Sequence, residues 1–159
     1  MDSRVPPQNI DAEKSILGGL MLEQEAWDEI ADAIQESDFY KPTHRKIFAS
    51  IKDLNRKGQP TDLITVTNWL MDKKELDMVG GPAYLAELIE DTPSAANITT
   101  YAKIVADKAL LRKIIHSSQG FIDKAYAQDF EDVSTFLDGV ESEVFSVAEQ
   151  RATTGLVEA

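Results

Sequence analysis

Side chains that could perform chemistry are few in this sequence and lie far apart. His44 and His116 are its only histidines, and it has no cysteine, which excludes disulfides and thiolate metal sites. Neither histidine stands in an H-E-x-x-H or H-x-E pattern, so a metal site would need both to meet in space beside a carboxylate. The pattern favours a hydrogen-bonded or solvent-facing role for each histidine.

The sequence also lacks the motifs that would indicate phosphate binding or nucleophilic catalysis. The pairs Gly18-Gly19 and Gly80-Gly81 lack the following lysine of a phosphate loop and the preceding strand of a dinucleotide site. The first pair is more typical of a close crossing between two helices. No serine stands in a nucleophile elbow. An enzyme that used clustered carboxylates or His44 would need a deep polar pocket, and without one the residues indicate an interaction or assembly domain.

Charge and composition narrow the function classes further. The 159 residues carry 28 acids and 16 bases, a net charge of −12. Such a chain repels a phosphate backbone, so DNA contact is expected only within a larger assembly. The chain starts with no charged-then-apolar leader, and no apolar run reaches the roughly 18 residues of a membrane helix. We therefore expect no membrane partner, and the lack of cysteine fits a reducing cytoplasm.

Apolar spacing predicts an all-α protein with about seven helices and no strand. Residues 1–96 are predicted to form a compact helical head that begins with a short flexible arm over residues 1–7 and includes a helix over residues 25–34. Residues 97–150 are predicted to form a long antiparallel helical hairpin. Residues 151–159 are small and polar, which is typical of the start of a linker to a further domain.

Capping residues predict where several helices start and end. Asn9 and Asp62 are expected to cap the first and fourth helices, because their side chains can accept a hydrogen bond from the first turn. Pro42 and Pro82 suit the first turns of the third and fifth helices. Gly58 is expected to end the third helix.

The hairpin carries more apolar surface than one partner helix can cover. Its first arm, over residues 98–125, has two apolar stripes that together span roughly 220° of the helix, about twice the usual width. The second arm, over residues 132–149, has a heptad pattern, formed by Val133, Leu137, Val140, Val144 and Val147. Phe136 and Phe145 lie off this seam and need another neighbour. The extra stripes pack either on the head or on a second copy of the chain.

The interface positions and charges of the hairpin follow from these patterns. The residues expected at the hairpin or dimer interface are Leu111, Ile115, Ile122, Phe136, Leu137, Val140, Val144 and Val147. The first arm is mainly basic, whereas the second has seven acids and no base between Asp129 and Glu149. Arms of opposite sign can lie side by side without repulsion.

Several segments, in order and spacing, resemble the N-terminal domain of the bacterial DnaB-type replicative helicase. The resemblance covers about residues 5–150. The matching segments are Pro6–Glu13, Ile16–Leu22, Asp38–Phe48, Gly58–Val66, Val79–Leu88, Pro93–Ile98, Tyr101–Val105 and Lys108–Arg112.

This resemblance implies a helical head and a hairpin that pairs between subunits. Six such domains form a collar, a trimer of dimers, above the ATPase domains of a hexameric helicase. The collar docks a DnaG-type primase, for which Tyr84, Ile115 and Phe136 are the contact candidates. A helicase loader is a further candidate partner, and the implied location is the bacterial cytoplasm, at the nucleoid or replisome.

The resemblance also implies what these residues lack. The full helicase moves 5′ to 3′ on single-stranded DNA with ATP and magnesium, which are bound by a second domain that this chain lacks. No catalytic, cofactor-binding or metal-binding residue is therefore expected here. The alternative hypothesis is a free-standing all-α adaptor or regulatory domain unrelated to replication.

Overall fold

A computed structural model describes residues 4–156 of the chain, with side chains through residue 150. Within these residues the protein has seven α-helices and no strand, which confirms the all-α prediction. The helices are α1 Ile10–Leu22, α2 Trp27–Ile30, α3 Pro42–Arg56, α4 Leu63–Asp72, α5 Gly81–Glu90, α6 Ile98–Ala127 and α7 Val133–Leu156. Short 3-10 turns lie at Gln24–Ala26, Glu36–Asp38 and Asp77–Val79.

The chain divides into two compact units, and the division falls inside α6. The head is Gln8–Ala109, and the hairpin unit comprises Leu110–Ala159 together with Met1–Pro7. The sequence predicted a division after residue 96. The first turns of α6 belong to the head instead, because Ile98, Ala102 and Val105 are buried in its core.

The two ends of the hairpin unit also differ from the sequence prediction. The backbone of α7 stays helical to Leu156, so the start of the predicted linker continues the second arm, and residues 157–159 lie outside the described part. The predicted flexible arm is fastened at its last residue. Arg112 Nη1 donates a 2.8 Å hydrogen bond to the Pro7 carbonyl oxygen.

Side-chain caps begin two helices of the head where the sequence predicted them. The Asn9 side chain accepts a 2.9 Å hydrogen bond from the Ala12 amide at the start of α1. The Asp62 carboxylate accepts one of 2.9 Å from the Thr65 amide at the start of α4. Each bond satisfies an amide that has no acceptor within its own helix.

Proline and glycine mark the ends of other elements. Pro42 and Pro82 lie in the first turns of α3 and α5, as predicted. Gly58 follows α3 with a φ of +69°, a left-handed conformation that favours glycine. The predicted helix over residues 25–34 is wrong in length, because its α-helical part is only Trp27–Ile30, preceded by a 3-10 turn.

Glycine in α1 permits the close helix crossing that the sequence indicated. A methyl group built on Gly18 would overlap the Leu88 carbonyl oxygen and Thr92 Oγ1. The Thr92 hydroxyl donates a 2.8 Å hydrogen bond to that same carbonyl, which fixes both groups against α1. The crossing of α1 and α5 therefore requires a residue without a side chain at this position.

Candidate interaction surface

The head contains one buried polar network, and it joins three helices. Glu13 of α1 and His44 of α3 are both buried, with His44 Nδ1 2.7 Å from Glu13 Oε1. The amide of Tyr40 donates a 2.6 Å hydrogen bond to Glu13 Oε2. His44 Nε2 lies 2.6 Å from the hydroxyl of Tyr84 on α5. A carboxylate only accepts, so Nδ1–H of His44 is the donor to Glu13, and in the neutral ring Nε2 then accepts from the Tyr84 hydroxyl.

This network has the geometry of a proton relay, but Glu13 and His44 are buried in the core of the head. Burial raises the pKa of the Tyr84 phenol first, and the negative charges of Glu87 and Glu13 raise it further, so the hydroxyl stays protonated at neutral pH. Glu13, His44 and Tyr84 line neither the surface depression along α3 nor the one along α4. The network therefore holds α1, α3 and α5 in register.

The remaining candidates for chemistry are scattered. His116 of α6 is exposed, and His44 has its two ring nitrogens occupied. In the described part of the chain, no three histidine, aspartate or glutamate side chains come together as metal ligands. Many of the exposed large apolar side chains lie on the hairpin unit.

Polar contacts identify the faces that α6 and α7 turn toward each other. The Ser117 hydroxyl donates a 3.1 Å hydrogen bond to Glu143, and Lys113 Nζ donates one of 2.6 Å to the side-chain oxygen of Gln150. Each bond joins the two arms, so these residues lie between them. Leu110 and Phe121 share this face of α6 and are half-buried.

The inner face of α7 differs from the predicted seam. Phe136 and Val140 are half-buried and Val147 is only 8% exposed, so the inner face recurs at steps of four and three through Phe136, Val140, Glu143, Val147 and Gln150. Two members of the predicted seam, Leu137 and Val144, are instead 53% and 56% exposed, and Val133 is exposed as well. The seam as predicted is therefore wrong.

A ring contact explains why the other seam is used. Two heptad patterns overlap in α7. Both contain Val140 and Val147, and at the alternate positions one has Leu137 and Val144 where the other has Phe136 and Glu143. Phe136 belongs to the observed one, and its ring stacks on Phe130 in the connection between the arms, with centroids 4.8 Å apart. The larger aromatic side chain turns inward and rotates Leu137 and Val144 outward.

Six exposed aliphatic residues of the two arms lie on one side of the hairpin, whereas Phe145, 64% exposed, lies outside this group. At about 100° per residue, those of α6 are displaced by roughly a third of a turn from its inner face, and those of α7 by roughly a quarter turn in the same rotational sense. In antiparallel helices, equal rotational sense brings both stripes to the same side. We call this surface the apolar face; it consists of Leu111, Ile115, Ile122, Val133, Leu137 and Val144.

The predicted site residues therefore divide into two groups. Phe136, Val140 and Val147 hold the two arms together, whereas the other predicted interface residues lie on the apolar face. Of the predicted primase contacts, Ile115 lies on that face, Phe136 points to the inner side, and Tyr84 is half-buried in the head with its hydroxyl on His44. No helix in the described residues is long and apolar enough to cross a membrane.

The buried network of Glu13, His44 and Tyr84 was not predicted from the sequence. A signal for it existed, because Glu13 falls at helical spacing with the buried residues Ile16 and Leu17, and His44 with Ile47 and Phe48. A charged residue on the inner stripe of a helix indicates a buried polar contact. The choice of partner depends on the tertiary fold.

Comparison with known proteins identifies the family. The family model described as the DnaB-like helicase N terminal domain matches residues 5–107. The replicative DNA helicase DnaB of Pasteurella multocida (strain Pm70) is 42% identical over 150 residues, which cover 94% of this chain and 32% of the relative. The chain thus spans about a third of the length of the curated relatives that it matches.

Solved structures agree with this assignment. The crystal structure of the N-terminal domain of DnaB helicase from Mycobacterium tuberculosis matches with a TM-score of 0.85 and 36% identity, covering 89% of this chain and 99% of that one. A DnaB-like replicative helicase with 24% identity shares the fold, with a TM-score of 0.72 over 94% of this chain and 34% of that one. The chain belongs to the DnaB-like helicase N-terminal domain family.

Proposed function

We propose that this chain is the collar domain of a hexameric replicative DNA helicase and that it assembles subunits through the apolar face of its hairpin. The observation that carries this proposal is the exposure of aliphatic side chains from both arms on one side of the hairpin. A contiguous apolar surface of this kind is typical of a protein–protein interface. Family membership favours this role over a free-standing adaptor.

The catalytic work of the helicase, in this proposal, belongs to the part of the relatives that this chain does not match. ATP and magnesium would bind there, and unwinding of DNA in the 5′ to 3′ direction would occur there. The net charge of −12 argues that DNA is contacted by the assembled helicase rather than by this domain alone. A cytoplasmic, replisome-associated location fits this role.

Docking of a DnaG-type primase is the second part of the proposal, and a helicase loader is a further candidate partner. Support comes from the fold-sharing DnaB-like helicase, whose structure was described together with its interactions with primase. Ile115 is the most exposed of the three contact candidates, but it lies on the apolar face, so primase would compete with a second copy for it. Tyr84 and Phe136 are partly occupied by contacts within their own units.

Sedimentation equilibrium of the 159-residue chain at micromolar to high micromolar concentration tests self-association. We expect the wild type to form dimers or higher multiples, and Leu137→Asp to be monomeric, because an unpaired charge at an apolar interface costs several kcal/mol. Ser142→Asp adds the same charge at an exposed position of α7 away from the apolar face, and it should associate like the wild type. A wild type that stays monomeric at high micromolar concentration would refute the proposal.

Titration calorimetry with the C-terminal domain of a DnaG-type primase tests the docking role. We expect binding to the wild-type chain and at least a several-fold weaker affinity for Ile115→Ala, because a buried aliphatic side chain contributes roughly 1.5–3 kcal/mol. Ile64→Ala removes an exposed aliphatic side chain from the head and serves as the control. No heat with an associated wild-type chain would reject primase docking while leaving self-association intact.

A further inference from the structure

Positive charge is concentrated in one segment of the head. Residues 41–74, which contain α3 and α4, carry eight bases and three acids, a surplus of five positive charges in a chain whose net charge is −12. None of these eight bases is buried. We call six of them the basic face: Arg45, Lys46, Arg56 and Lys57 along α3 and at its end, and Lys73 and Lys74 directly after α4.

Shared contacts join these bases into one surface. Arg45, Lys46 and Lys73 line the same depression, whose volume is about 230 Å³. Lys57 and Lys73 both lie over the ring of Trp69, with Nζ 5.1 Å and 5.0 Å from its centroid. Lys73 therefore connects the bases at the start of α3 with those at its end.

The acids of the head neutralise only part of this charge. Asp53 and Glu75 line the same depression, and Glu75 pairs with Lys46 at 2.7 Å. Arg45 donates its hydrogen bonds to backbone carbonyl oxygens rather than to a carboxylate. Four exposed bases take part in no ion pair among the residues that the structure describes: Arg56, Lys57, Lys73 and Lys74. Their charge can therefore act on an external anion.

We propose that the basic face contacts the phosphate backbone of single-stranded DNA. The inference rests on the collar role proposed above, because DNA is the polyanion that a helicase handles. Charges more than about 8 Å away are largely screened at physiological ionic strength, so acids elsewhere in the chain do not cancel the local surplus. From Lys46 to Lys57, α3 rises by about 16 Å, which is long enough to follow several consecutive phosphates.

The same contacts determine what kind of binding this face supports. The ring of Trp69 lies beneath two lysines, so phosphate contacts rather than base stacking carry the interaction, and it should not depend on DNA sequence. The face adds a contact to a strand that the assembled helicase already holds. The isolated chain, with its net charge of −12, should therefore bind weakly but measurably.

Fluorescence anisotropy of a labelled oligothymidylate of about 20 nucleotides, titrated with the 159-residue chain, measures the contact. We expect binding at high micromolar protein in about 50 mM salt, and weaker binding toward about 200 mM. Lys73→Glu should weaken binding about ten-fold, because a phosphate contact is replaced by repulsion. Lys124→Glu, at an exposed position of the hairpin unit, makes the same change in net charge and should bind like the wild type.

Several outcomes would overturn the inference. Equal weakening by Lys73→Glu and Lys124→Glu would show repulsion by the whole chain rather than a local contact. Polyglutamate of equal charge that displaces the oligonucleotide as well as unlabelled oligothymidylate does would assign the face to an acidic protein segment instead. A wild type that self-associates but binds no oligonucleotide in about 50 mM salt would reject the DNA contact and leave the collar role standing.

A second variant separates binding from folding. Lys73 also contacts Trp69, so its replacement could disturb the head, and thermal melts followed by circular dichroism measure this effect. Arg56→Glu changes an exposed side chain at the end of α3 that has no ion pair among the described residues. It should keep the melting temperature of the wild type and still weaken binding several-fold. Wild-type affinity in a folded Arg56→Glu variant would count against the basic face.

Discussion

The head and the hairpin unit are both built from amphipathic helices, but they bury their apolar side chains to very different degrees. In the head, the core runs from Ala12 to Val105 and includes fully buried aromatic residues such as Phe39 and Phe48. In the described part of the hairpin unit, Val147 is the only buried aliphatic residue. The head therefore completes its core within one chain, whereas the hairpin leaves much of its apolar surface exposed.

This difference predicts how each unit responds to its surroundings. A buried core stabilises the head independently of protein concentration. An antiparallel pair of helices with one apolar side open gains its remaining stability when a second copy covers that side, so its melting should depend on concentration. Substitutions that affect folding but not association, or association but not folding, test this difference between the head and the hairpin unit.

The largest effect is expected from Glu13→Ala in the head. Removing the carboxylate leaves His44 and the Tyr40 amide without their buried acceptor and opens a cavity, and loss of one member of such a network costs about 3–5 kcal/mol. Thermal and urea unfolding followed by circular dichroism measure the loss. Glu29→Ala, at an exposed position of α2, should change stability by less than about 0.5 kcal/mol. A loss below about 1 kcal/mol in Glu13→Ala would show that the network does not hold the head together.

Two valines of α7 should respond differently to the same substitution. Val140→Asp places a charge between the arms and should unfold the hairpin, at a cost of several kcal/mol. Val144→Asp places it on the apolar face and should leave the isolated hairpin folded while abolishing association. Helix content in dilute solution and sedimentation at high concentration separate the outcomes. If both variants lose the same amount of helix, Val140 and Val144 both lie between the arms, as the sequence predicted.

Features that depend on residues close together in the sequence could be predicted in both units. The caps at Asn9 and Asp62 and the turn at Gly58 were predictable, because each depends on residues within a few positions. The width of the apolar surface on the hairpin was predictable for the same reason. The length of the helix around Trp27 was not, because its apolar pattern continues beyond the point where the backbone turns.

The choice between the two α7 seams needed information from outside the helix. The observed heptad shares Val140 and Val147 with the predicted one but also contains Glu143 and Gln150, so apolar periodicity alone selects the seam that is not used. The Phe130 ring in the connection decides it by stacking on Phe136. The Glu13–His44–Tyr84 network likewise joins residues from three helices, and only the tertiary fold brings them within hydrogen-bonding distance.

Glycine-to-alanine substitutions in the two units should have opposite signs. Gly18→Ala forces a methyl group against Leu88 and Thr92 in the head, and overpacking of this kind costs about 1–3 kcal/mol. Gly120→Ala in α6 meets nothing within 4 Å and should stabilise the helix by about 0.5–1 kcal/mol. Paired thermal melts give both values. A melting temperature raised by Gly18→Ala would contradict the close crossing of α1 and α5.

The smallest effects concern the aspartates that begin one helix in each unit. Hydrogen bonds from Thr65 lower the pKa of Asp62 at the start of α4, and those from Thr135 lower the pKa of Asp132 at the start of α7. Because folding lowers each pKa, the ionised side chain adds stability above its unfolded pKa of about 4, and the contribution disappears as the pH falls through the folded value.

Asparagine caps a helix about as well as aspartate but does not titrate, so it isolates the charge. We expect Asp62→Asn to lower the stability of the head at pH 7 by well under 1 kcal/mol, since the group is exposed and the interaction is screened by solvent. The difference from the wild type should shrink toward zero as the pH falls from 7 to 3. Asp132→Asn should show the same trend in the hairpin signal. Thermal melts across this pH range measure both, and a difference that widens on acidification would contradict the sign derived from the lowered pKa values.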